Sequence, residues 1–474
     1  MIFNKKITPF AVSALTIAMS GLFNPAYAAT AGALDPTFGL ASDGSPDGVV
    51  NLSLGSANDY GRAVAIQKNH KIIVVGTSEQ NGSSNIEIVR LNTDGSLDST
   101  FGTANDGTPD GVVNIDLGPG NDIGTSVAID SKTGKIVIAG YHKVSGTTNM
   151  IAARLNTNGT LDQSFGTAND GTPNGIVGIS LGNGDEKANG VAVQADGRIV
   201  LAGSSSSFSG TDNIEVIRLN KNGTLDTQFG KGSDGTPDGI VNIDLGAGDD
   251  AGKAVALTAK GSIVVVGNHA VSGSTDIVVA VLKKNGDLDT SFGKSADGTP
   301  DGVVDLSLGA GNDTASSVAV QKDGKIVVAG SSVINESSNI EVIRLTSQGN
   351  LDKHFGNAKD GTPDGVVNID LGEGNDVGHA VAIQPNGKIV IAGSHVVGGS
   401  SDMVVARLLR NGSLDKSFGT ANDGTPDGIV DLSLGNGNDE ANGVALIGDQ
   451  KIVVTGTSVQ NGSSNIEVVR LLAK

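Results

Sequence analysis

Cysteine and tryptophan are both absent from the 474 residues, and aromatic residues of all kinds make up only 3%. The absence of cysteine excludes disulfide bridges, zinc–thiolate centres and thiol nucleophiles. The shortage of aromatic rings disfavours a sugar-binding platform, which uses the faces of such rings. A hydrophobic core built from this sequence must consist mainly of valine, isoleucine, leucine and alanine.

Basic residues are also scarce: 32 Lys and Arg stand against 51 Asp and Glu, which gives a formal net charge of −19. Nucleic acid is therefore not expected as a partner, because phosphate binding needs a basic stripe and the sequence shows none. An acidic surface suits a protein that works outside the cytoplasm or one that meets divalent cations.

Glycine is abundant, at 70 residues, and much of it belongs to a repeat. The pattern Leu-Asp-x-x-Phe-Gly recurs every 63 or 64 residues along almost the whole chain. Such regular spacing is the signature of a repeat architecture. The seven copies begin at Leu34, Leu97, Leu161, Leu225, Leu288, Leu351 and Leu414.

Each repeat contains four short segments rich in valine and isoleucine, which are separated by turns rich in glycine. In the first full repeat these segments are Arg62–Gln67, Lys71–Thr77, Asn85–Asn92 and Gly111–Leu117. The pattern predicts antiparallel β-strands joined by tight turns. Four strands in each of seven repeats predict an all-β fold, a seven-bladed β-propeller with four-stranded antiparallel blades.

The two ends of the repeat region complement each other. An isolated strand, 48–54, precedes the first full repeat, whereas the last repeat, 443–472, lacks its fourth strand. We expect the N-terminal strand to complete the C-terminal blade and close the ring. A solenoid, the alternative, would need polar caps at both ends. The predicted blades are 62–117, 125–181, 189–245, 253–308, 316–371, 379–434 and 443–472 plus 48–54, in one domain that covers 29–474.

A second period of two repeats lies inside the first. Third strands of the type Asn-Ile-Glu-x-x-Arg-Leu alternate strictly with a type that has no glutamate. This alternation indicates growth by duplication of a two-blade unit. The first type begins at Asn85, Asn213, Asn339 and Asn465, and the second at Asn149, Asp276 and Asp402.

One cassette resembles a known family. It reads Val-Ala-Ile-Gln-Pro-Asn-Gly-Lys-Ile-Val-Ile-Ala-Gly over 381–393, followed by Val-Ala-Arg-Leu over 405–408 and Leu-Asp-Lys-Ser-Phe-Gly over 414–419. In these residues the chain is similar to the bacterial delta-60 repeat family. The resemblance implies a β-propeller of secreted or surface proteins and brings no catalytic residues with it. One departure is that Val281 replaces the arginine of the third strand in one copy.

Residues 1–28 have the features of a cleaved secretory signal peptide. Lys5 and Lys6 precede a mostly apolar stretch, and Ala26-Tyr27-Ala28 is a small-x-small cleavage site. A membrane anchor is the alternative, but the apolar stretch is short for a span. We therefore expect an exported protein, periplasmic or extracellular, with no transmembrane segment after cleavage. We also expect it to be a monomer.

Three histidines occupy equivalent places in the second, fourth and sixth blades. Each follows the second strand and should share a loop face with an acidic residue. Zinc would suit three such imidazoles if they pointed into the channel mouth. The alternative is three inherited copies of one solvent-exposed position. We treat the following as candidate binding residues: His142, His269, His395, Asp122, Asp250 and Asp376.

Loops of the sequence Asp-Gly-Thr-Pro-Asp-Gly recur between the third and fourth strands. Short loops rich in aspartate supply the oxygen ligands that calcium prefers, so calcium is kept as a candidate cofactor. The alternative is turn chemistry, in which proline and glycine set the backbone and aspartate caps the turn. The copies are 106–111, 234–239, 297–302, 360–365 and 423–428, with variants at 43–48 and 170–175.

No catalytic constellation stands out, so the sequence favours a binding or scaffolding module with a protein or cell-envelope partner. Glu87 and Arg90, three residues apart on a strand, should face opposite sides, and a Glu–Arg pair between blades is expected. Sialidase-type and quinoprotein propellers use motifs that need tryptophan, which is absent. The alternative function is a hydrolase or lyase with its site at the channel mouth, assisted by a divalent metal.

Overall fold

The computed structural model consists of β-strands that form seven separate antiparallel sheets of four strands each. No helix occurs in the part of the chain described, and none there could cross a membrane. The seven-bladed β-propeller predicted from the repeat is confirmed. The structure describes residues 30–39, 47–54, 57–80, 82–102, 109–144, 146–166, 174–182, 184–206, 210–230, 236–271, 273–293, 301–334, 336–356, 364–372, 374–419, 427–435 and 437–474.

Each of blades one to six consists of four consecutive strands in chain order, from the innermost to the outermost. The outer strand is short, with four residues in every blade. The strands are β1 (Val49–Leu52), β2 (Asp59–Ile66), β3 (Ile72–Gln80), β4 (Ser83–Leu91), β5 (Val112–Ile115), β6 (Asp122–Ile129), β7 (Ile136–Val144), β8 (Thr147–Leu155), β9 (Ile176–Ile179), β10 (Glu186–Val193), β11 (Ile199–Ser206), β12 (Asp212–Leu219), β13 (Ile240–Ile243), β14 (Asp250–Leu257), β15 (Ile263–Val271), β16 (Ser274–Leu282), β17 (Val303–Leu306), β18 (Asp313–Val320), β19 (Ile326–Ile334), β20 (Ser337–Leu345), β21 (Val366–Ile369), β22 (Asp376–Ile383), β23 (Ile389–Val397), β24 (Ser400–Leu408), β25 (Ile429–Leu432), β26 (Asp439–Ile447), β27 (Lys451–Gln460) and β28 (Ser463–Leu472).

The seventh blade is assembled from both ends of the repeat region. Its strand order is β1-β28-β27-β26, and β1 pairs antiparallel with β28. Val49 lies opposite Val469, and Leu52 lies opposite Ile466. The N-terminal strand therefore closes the ring, as the strand count predicted, and covers an edge that would otherwise be open to pairing with another chain.

The first strand of each blade lies innermost and contacts its equivalents in both neighbouring blades. A β-bulge interrupts every one of these strands, between Gly61 and Ala63 in the first blade and at the matching place in the others. The sequence predicted that this strand begins at Arg62, whereas it begins at Asp59. The bulge explains the difference, because it breaks the two-residue alternation on which the prediction depends.

The hydrophobic core lies between the blades, where seven clusters each join the facing sides of two adjacent sheets. Between blades one and two, Ile73 and Ile88 pack with Ile138 and Ile151. Fully burying one such side chain contributes about 1.5–3 kcal/mol. The short aliphatic side chains thus stabilise each seam of the ring, that is, each interface between two adjacent blades.

A second kind of contact joins the blades through the Leu-Asp-x-x-Phe-Gly segment. Arg90 of β4 donates a hydrogen bond from Nε to Asp98 Oδ2 and covers the ring of Phe101 at 4.3 Å. Its Nη1 donates to the carbonyl oxygen of Thr157 in the next blade. The expected Glu–Arg pair between blades is therefore wrong for Glu87, which accepts a hydrogen bond from Asn114 of its own blade. The same arrangement recurs at Arg154, Arg218, Arg344, Arg407 and Arg470.

The fourth blade lacks this contact. Val281 stands where the other blades have arginine, and Ser262 stands where they have a second cation such as Lys71. In the part of the chain that the structure describes, the Asp289 carboxylate accepts hydrogen bonds only from Ser291. The seam between blades four and five is therefore held by apolar packing, in which Val281 and Phe292 take part.

Candidate functional site

The three candidate histidines lie on the second strands of blades two, four and six, at the end where the first strand begins. Backbone register places each of them opposite the acidic residue predicted to accompany it. This juxtaposition follows from hairpin pairing, because the acid opens the first strand and the histidine ends the second. The pairs are Asp122 with His142, Asp250 with His269, and Asp376 with His395.

Two of the histidines are held by buried carboxylates. His395 Nδ1 lies 2.6 Å from Asp376 Oδ1, and His142 Nδ1 contacts Asp122 Oδ1 in the same way. The carboxylates also accept hydrogen bonds from the backbone, as Asp376 Oδ2 does from the amide of Leu371 at 2.8 Å. These acids therefore fix both the connection between blades and the orientation of the imidazole.

The third histidine has a different partner. His269 Nδ1 lies 3.1 Å from Asp305 Oδ2, whereas its Nε2 is 3.9 Å from Asp250 Oδ1. The side chains of the three histidines are 14%, 13% and 8% exposed in chain order. The alternative that they occupy a solvent-exposed position is therefore wrong, because at most 14% of each side chain is exposed.

Blades one, three, five and seven have no histidine at this position and contain a buried glutamate on the third strand. In blade three, Glu215 Oε1 accepts hydrogen bonds from Asn242 Nδ2 at 2.7 Å and from Ser205 Oγ at 2.8 Å. Ser205 stands at the register position that histidine occupies in the even blades. The two-blade period in the sequence thus corresponds to two kinds of buried polar cluster. The other glutamates of this kind are Glu87, Glu341 and Glu467.

Burial changes the protonation of these glutamates. Removal from water raises the pKa of Glu87 and of Glu467 to about 8, and that of Glu215 and of Glu341 to about 7. A nearby buried acid adds to the effect: Asp313 raises the pKa of Glu341 through like-charge repulsion. Burial therefore favours the protonated form of all four side chains.

The structure brings the candidate histidines and acids together in pairs and does not bring the three pairs to one point. Among the described residues, no group of three or more His, Asp or Glu side chains is placed to hold a metal ion. The zinc alternative therefore finds no support in this part of the chain. A binding role for the six candidate residues stays a prediction.

The aspartate-rich loops fall mostly outside the described residues, which include only the end of each copy. There the final aspartate or asparagine accepts a hydrogen bond from the backbone two residues later, as from Val112 to Asp110 Oδ1 at 3.0 Å. This is the turn chemistry of the alternative explanation. The same contact occurs at Asp47, Asn174, Asp238, Asp301, Asp364 and Asp427. Calcium binding stays a prediction.

One set of residues lies on the innermost strands, around the propeller axis, and no motif of the sequence marks it. In each innermost strand, the first and third residues are buried, whereas the second and fourth are partly exposed or, at Glu440, exposed. These second and fourth positions, fourteen residues in all, are called the channel wall below. They are Tyr60, Arg62, Ile123, Thr125, Lys187, Asn189, Ala251, Lys253, Thr314, Ser316, Val377, His379, Glu440 and Asn442.

The channel wall differs in chemistry from blade to blade, although its neighbours in the same strands repeat. The first position is an acid in all seven strands, the third is glycine or alanine, and the sixth is valine. The second and fourth positions include cations, an acid, amides, hydroxyls and apolar groups. Comparing the seven copies column by column would have found this contrast in the sequence.

The fourth position of the channel wall coincides with the β-bulge. Three residues there bridge to the next innermost strand: Thr125 Oγ1 donates to the carbonyl of Ala188 at 2.6 Å, and Asn189 Nδ2 to that of Gly252 at 2.8 Å. Asn442 Nδ2 donates to the carbonyl of Gly61 at 3.0 Å. Bulges reorient side chains and are frequent beside functional sites. Here they place one variable side chain per blade on the channel wall.

Solved structures that resemble the chain share little sequence with it. Virginiamycin B lyase from Staphylococcus aureus matches at 10% identity and a TM-score of 0.44, covering 89% of this chain and 98% of its own. Polysaccharide lyase Uly1 matches at 10% identity and a TM-score of 0.46, covering 87% and 90%. Sqt1 from Chaetomium thermophilum, bound to the N-terminus of the ribosomal protein L10, matches at 14% identity and a TM-score of 0.42, covering 89% and 100%. Likeness at this level carries no argument about function.

One family model matches the chain seven times, and no curated protein matches it. The family is described as a domain of unknown function (DUF5122) beta-propeller. The matches cover residues 67–101, 132–165, 194–229, 261–292, 321–355, 384–418 and 448–473. They run through all seven blades, and the chain therefore belongs to a β-propeller repeat family.

Proposed function

We propose that this protein is an exported binding module whose ligand sits against the channel wall. A rigid ring that holds variable side chains at fixed positions suits recognition. The export signal predicted in residues 1–28 supports a ligand or partner in the periplasm or outside the cell.

The observation that carries the proposal is the contrast between repeated and variable positions. Residues that the fold uses, such as Arg90 and Asp98, recur in nearly every blade. Side chains of the channel wall differ in charge, size and polarity, although the strands that present them are equivalent. Equivalent strands form with every one of these side chains, so a ligand without sevenfold symmetry is a simple reason for the variety.

Binding is preferred to the hydrolase or lyase alternative because of the surroundings of one imidazole. His379 is the one histidine of the channel wall, and burial lowers its pKa. Its Nε2 lies 3.3 Å from Ser394 Oγ, but Ser394 is only 7% exposed. A nucleophile needs to reach its substrate, and this hydroxyl is enclosed within the blade.

The experiment compares capture from a cell-envelope extract by the immobilised parent protein and by two triple variants. The channel variant carries Tyr60→Ser, Arg62→Ser and Glu440→Ser on adjacent blades. The control variant carries serine at three exposed lysines of turns between first and second strands, at the opposite end of the ring: Lys68, Lys132 and Lys322.

We expect the parent and the control variant to retain the same ligand and the channel variant to lose it, with all three melting cooperatively. Equal capture by both variants would refute the proposal, because the ligand would then not depend on the channel wall. Capture with and without added calcium also tests the cofactor expectation, since binding that persists unchanged in a chelator needs no calcium.

A further inference from the structure

Blade five carries a buried polar cluster on one face of its sheet. Asp313 begins the first strand and lies opposite Ser332 of the second. Glu341 of the third strand lies opposite Gly330, which is two residues before Ser332. Residues that are two apart on a strand share a face, as do residues opposite each other on paired strands. The side chains of Asp313, Ser332 and Glu341 therefore project from the same side of the sheet, and they are called the blade-five cluster below.

Equivalent positions in other blades show that such side chains are within contact distance. In blade three, Ser205 Oγ lies 2.8 Å from Glu215 Oε1. In blade six, where histidine takes the place of the serine, His395 Nδ1 lies 2.6 Å from Asp376 Oδ1. The position of Ser332 therefore reaches both the acid of the first strand and the glutamate of the third.

Three buried oxygens of the blade-five cluster have no hydrogen-bond partner among the described residues: Asp313 Oδ1, Ser332 Oγ and Glu341 Oε2. The three residues are 0%, 1% and 3% exposed. The hydroxyl lies near both carboxylates, where it opposes the rise that burial causes in the pKa of each, but it is not in hydrogen-bond geometry with either. Leaving buried acceptors unpaired is unfavourable, so these oxygens indicate a ligand.

The second oxygen of each carboxylate is held in place by the protein. Asp313 Oδ2 accepts a hydrogen bond from the amide of Leu308 at 2.6 Å. Glu341 Oε1 accepts one from Asn368 Nδ2, also at 2.6 Å. Among the ion pairs of the described residues, none involves either acid of the cluster. Two carboxylates are thus oriented towards a shared space into which no described basic side chain reaches.

The unpaired carboxylate oxygens recur in the other blades that carry the buried glutamate. Blade seven has the same two acids, and blade three has a glutamate in place of the first-strand aspartate. A feature that recurs at equivalent positions is a property of this type of blade. The oxygens are Glu87 Oε2 in blade one, Glu186 Oε2 and Glu215 Oε2 in blade three, and Asp439 Oδ1 and Glu467 Oε2 in blade seven.

We infer that the blade-five cluster binds a calcium ion between its first and third strands, and that its counterparts in blades one, three and seven do the same. Calcium takes oxygen ligands, and a carboxylate can bind it through one or both oxygens. Its two positive charges balance the two carboxylates, which is what makes burial of such a pair favourable. A cation and a proton compete for these oxygens, so the metal-free protein is the form in which Glu341 keeps its proton. The inference is independent of the proposed function, because none of these residues belongs to the channel wall.

Calorimetric titration of the chelator-treated full chain with calcium chloride tests the inference. One variant, Glu341→Gln, removes a carboxylate charge and keeps the oxygen that accepts the amide hydrogen bond. A second variant, Ser332→His with Glu341→Val, gives blade five the residues that blade six has as His395 and Val404, a combination that this fold accepts. The control is Asp323→Asn, which changes an exposed acid in a turn of the same blade.

We expect the parent and the control to take up the same number of calcium ions per chain, and each blade-five variant to take up one fewer. Changing the four buried glutamates together to glutamine should remove four ions. Calcium should also raise the melting temperature of the parent more than that of the fourfold variant. Equal uptake by the parent and the fourfold variant would overturn the inference, because bound calcium would then lie elsewhere. Absence of uptake by the parent would overturn it as well and would assign the unpaired oxygens to water or to a shared proton.

Discussion

Arg470, on the last strand, donates a hydrogen bond from Nε to Asp35 Oδ2 at 2.6 Å, across 435 residues of sequence. Its guanidinium carbon also lies 4.4 Å from the centre of the Phe38 ring. In the first blade the same contacts join Arg90 to an aspartate eight residues later. The segment that looks like the first repeat in the sequence is therefore the last part of the seventh blade. Repeat and blade are out of phase, and this offset closes the ring.

Deletion of residues 30–52 tests the closure. The deletion removes Asp35, Phe38 and the whole of β1, so β28 would present an unpaired edge. We expect loss of the single cooperative thermal transition, or aggregation at the parent's melting temperature. The control is removal of residues 1–29 alone, which leaves the closing segment intact. A deletion variant that melts like this control would show that β1 is dispensable.

Stability should fall as the pH rises from mildly acidic to mildly basic. The folded state keeps the proton of Glu87 up to about pH 8, whereas an ordinary glutamate loses it near 4.5. A group whose pKa is raised by folding stabilises the protein fully below its unfolded pKa, and this stabilisation is lost as the pH passes the folded value. The shift of Glu87 corresponds to on the order of 5 kcal/mol. Calorimetric melting temperatures at pH 5 and pH 9 measure the effect.

The variant for this prediction changes all four buried glutamates to glutamine, which keeps the acceptor for the neighbouring asparagine and removes the titration. Its melting temperature should depend much less on pH between 5 and 9 than that of the parent. The control, Asp323→Asn, changes a side chain that is 59% exposed and should keep the parent's profile. A quadruple variant with the parent's pH dependence would contradict the assignment. The glutamates are Glu87, Glu215, Glu341 and Glu467.

Val281→Arg should stabilise the seam between blades four and five. Asp289 and Phe292 hold the positions that receive an arginine in the other blades, so the new guanidinium would find both partners. Hydrogen bonds to a charged group favour folding, and we expect a gain of about 1 kcal/mol after desolvation. Urea unfolding measures it against Val281→Met, a side chain of similar length without charge. An arginine variant less stable than the methionine variant would contradict the seam account.

Replacing His395 should cost more stability than replacing His269. His395→Leu leaves the buried Asp376 Oδ1 without its imidazole partner, which costs about 1–3 kcal/mol. The partner of His269 is Asp305, whose side chain is 42% exposed and can turn to water. His354→Leu is the control, because that imidazole is 91% exposed. Equal losses at all three positions in urea unfolding would show that the Asp–His pairs do not stabilise the blades.

The sequence predicted the features of the fold that repeat or that depend on counting strands. The seven copies of the repeat predicted seven blades. The additional strand before the first full repeat predicted β1 as the partner of β28. The bulge at Arg62 was not predictable by alternation, because it breaks that alternation. The burial of His395 depends on how adjacent sheets pack, which local patterns do not record. Arg90 and Asp98 contact each other across a turn, and no periodic pattern in the sequence predicts that contact.

The candidate site was predicted less well than the fold. The residues that recur in the sequence, the candidate histidines and acids, form internal pairs in the structure. The channel wall was missed because its members, such as Lys187 and Lys253, share no pattern among themselves. Within a repeat protein, a position where the copies disagree is informative, since equivalent strands form there without a shared side chain.

Protection of a single thiol tests most directly whether the ligand binds at the channel wall. The chain has no cysteine, so Ser316→Cys would place the sole thiol on the channel wall, and Ser131→Cys would place it on an exposed turn at the other end of the ring. The rate of alkylation is measured with and without the ligand captured from the envelope extract. We predict that the ligand slows alkylation at position 316 and leaves the rate at 131 unchanged. Equal rates at 316 with and without ligand would contradict binding in the channel.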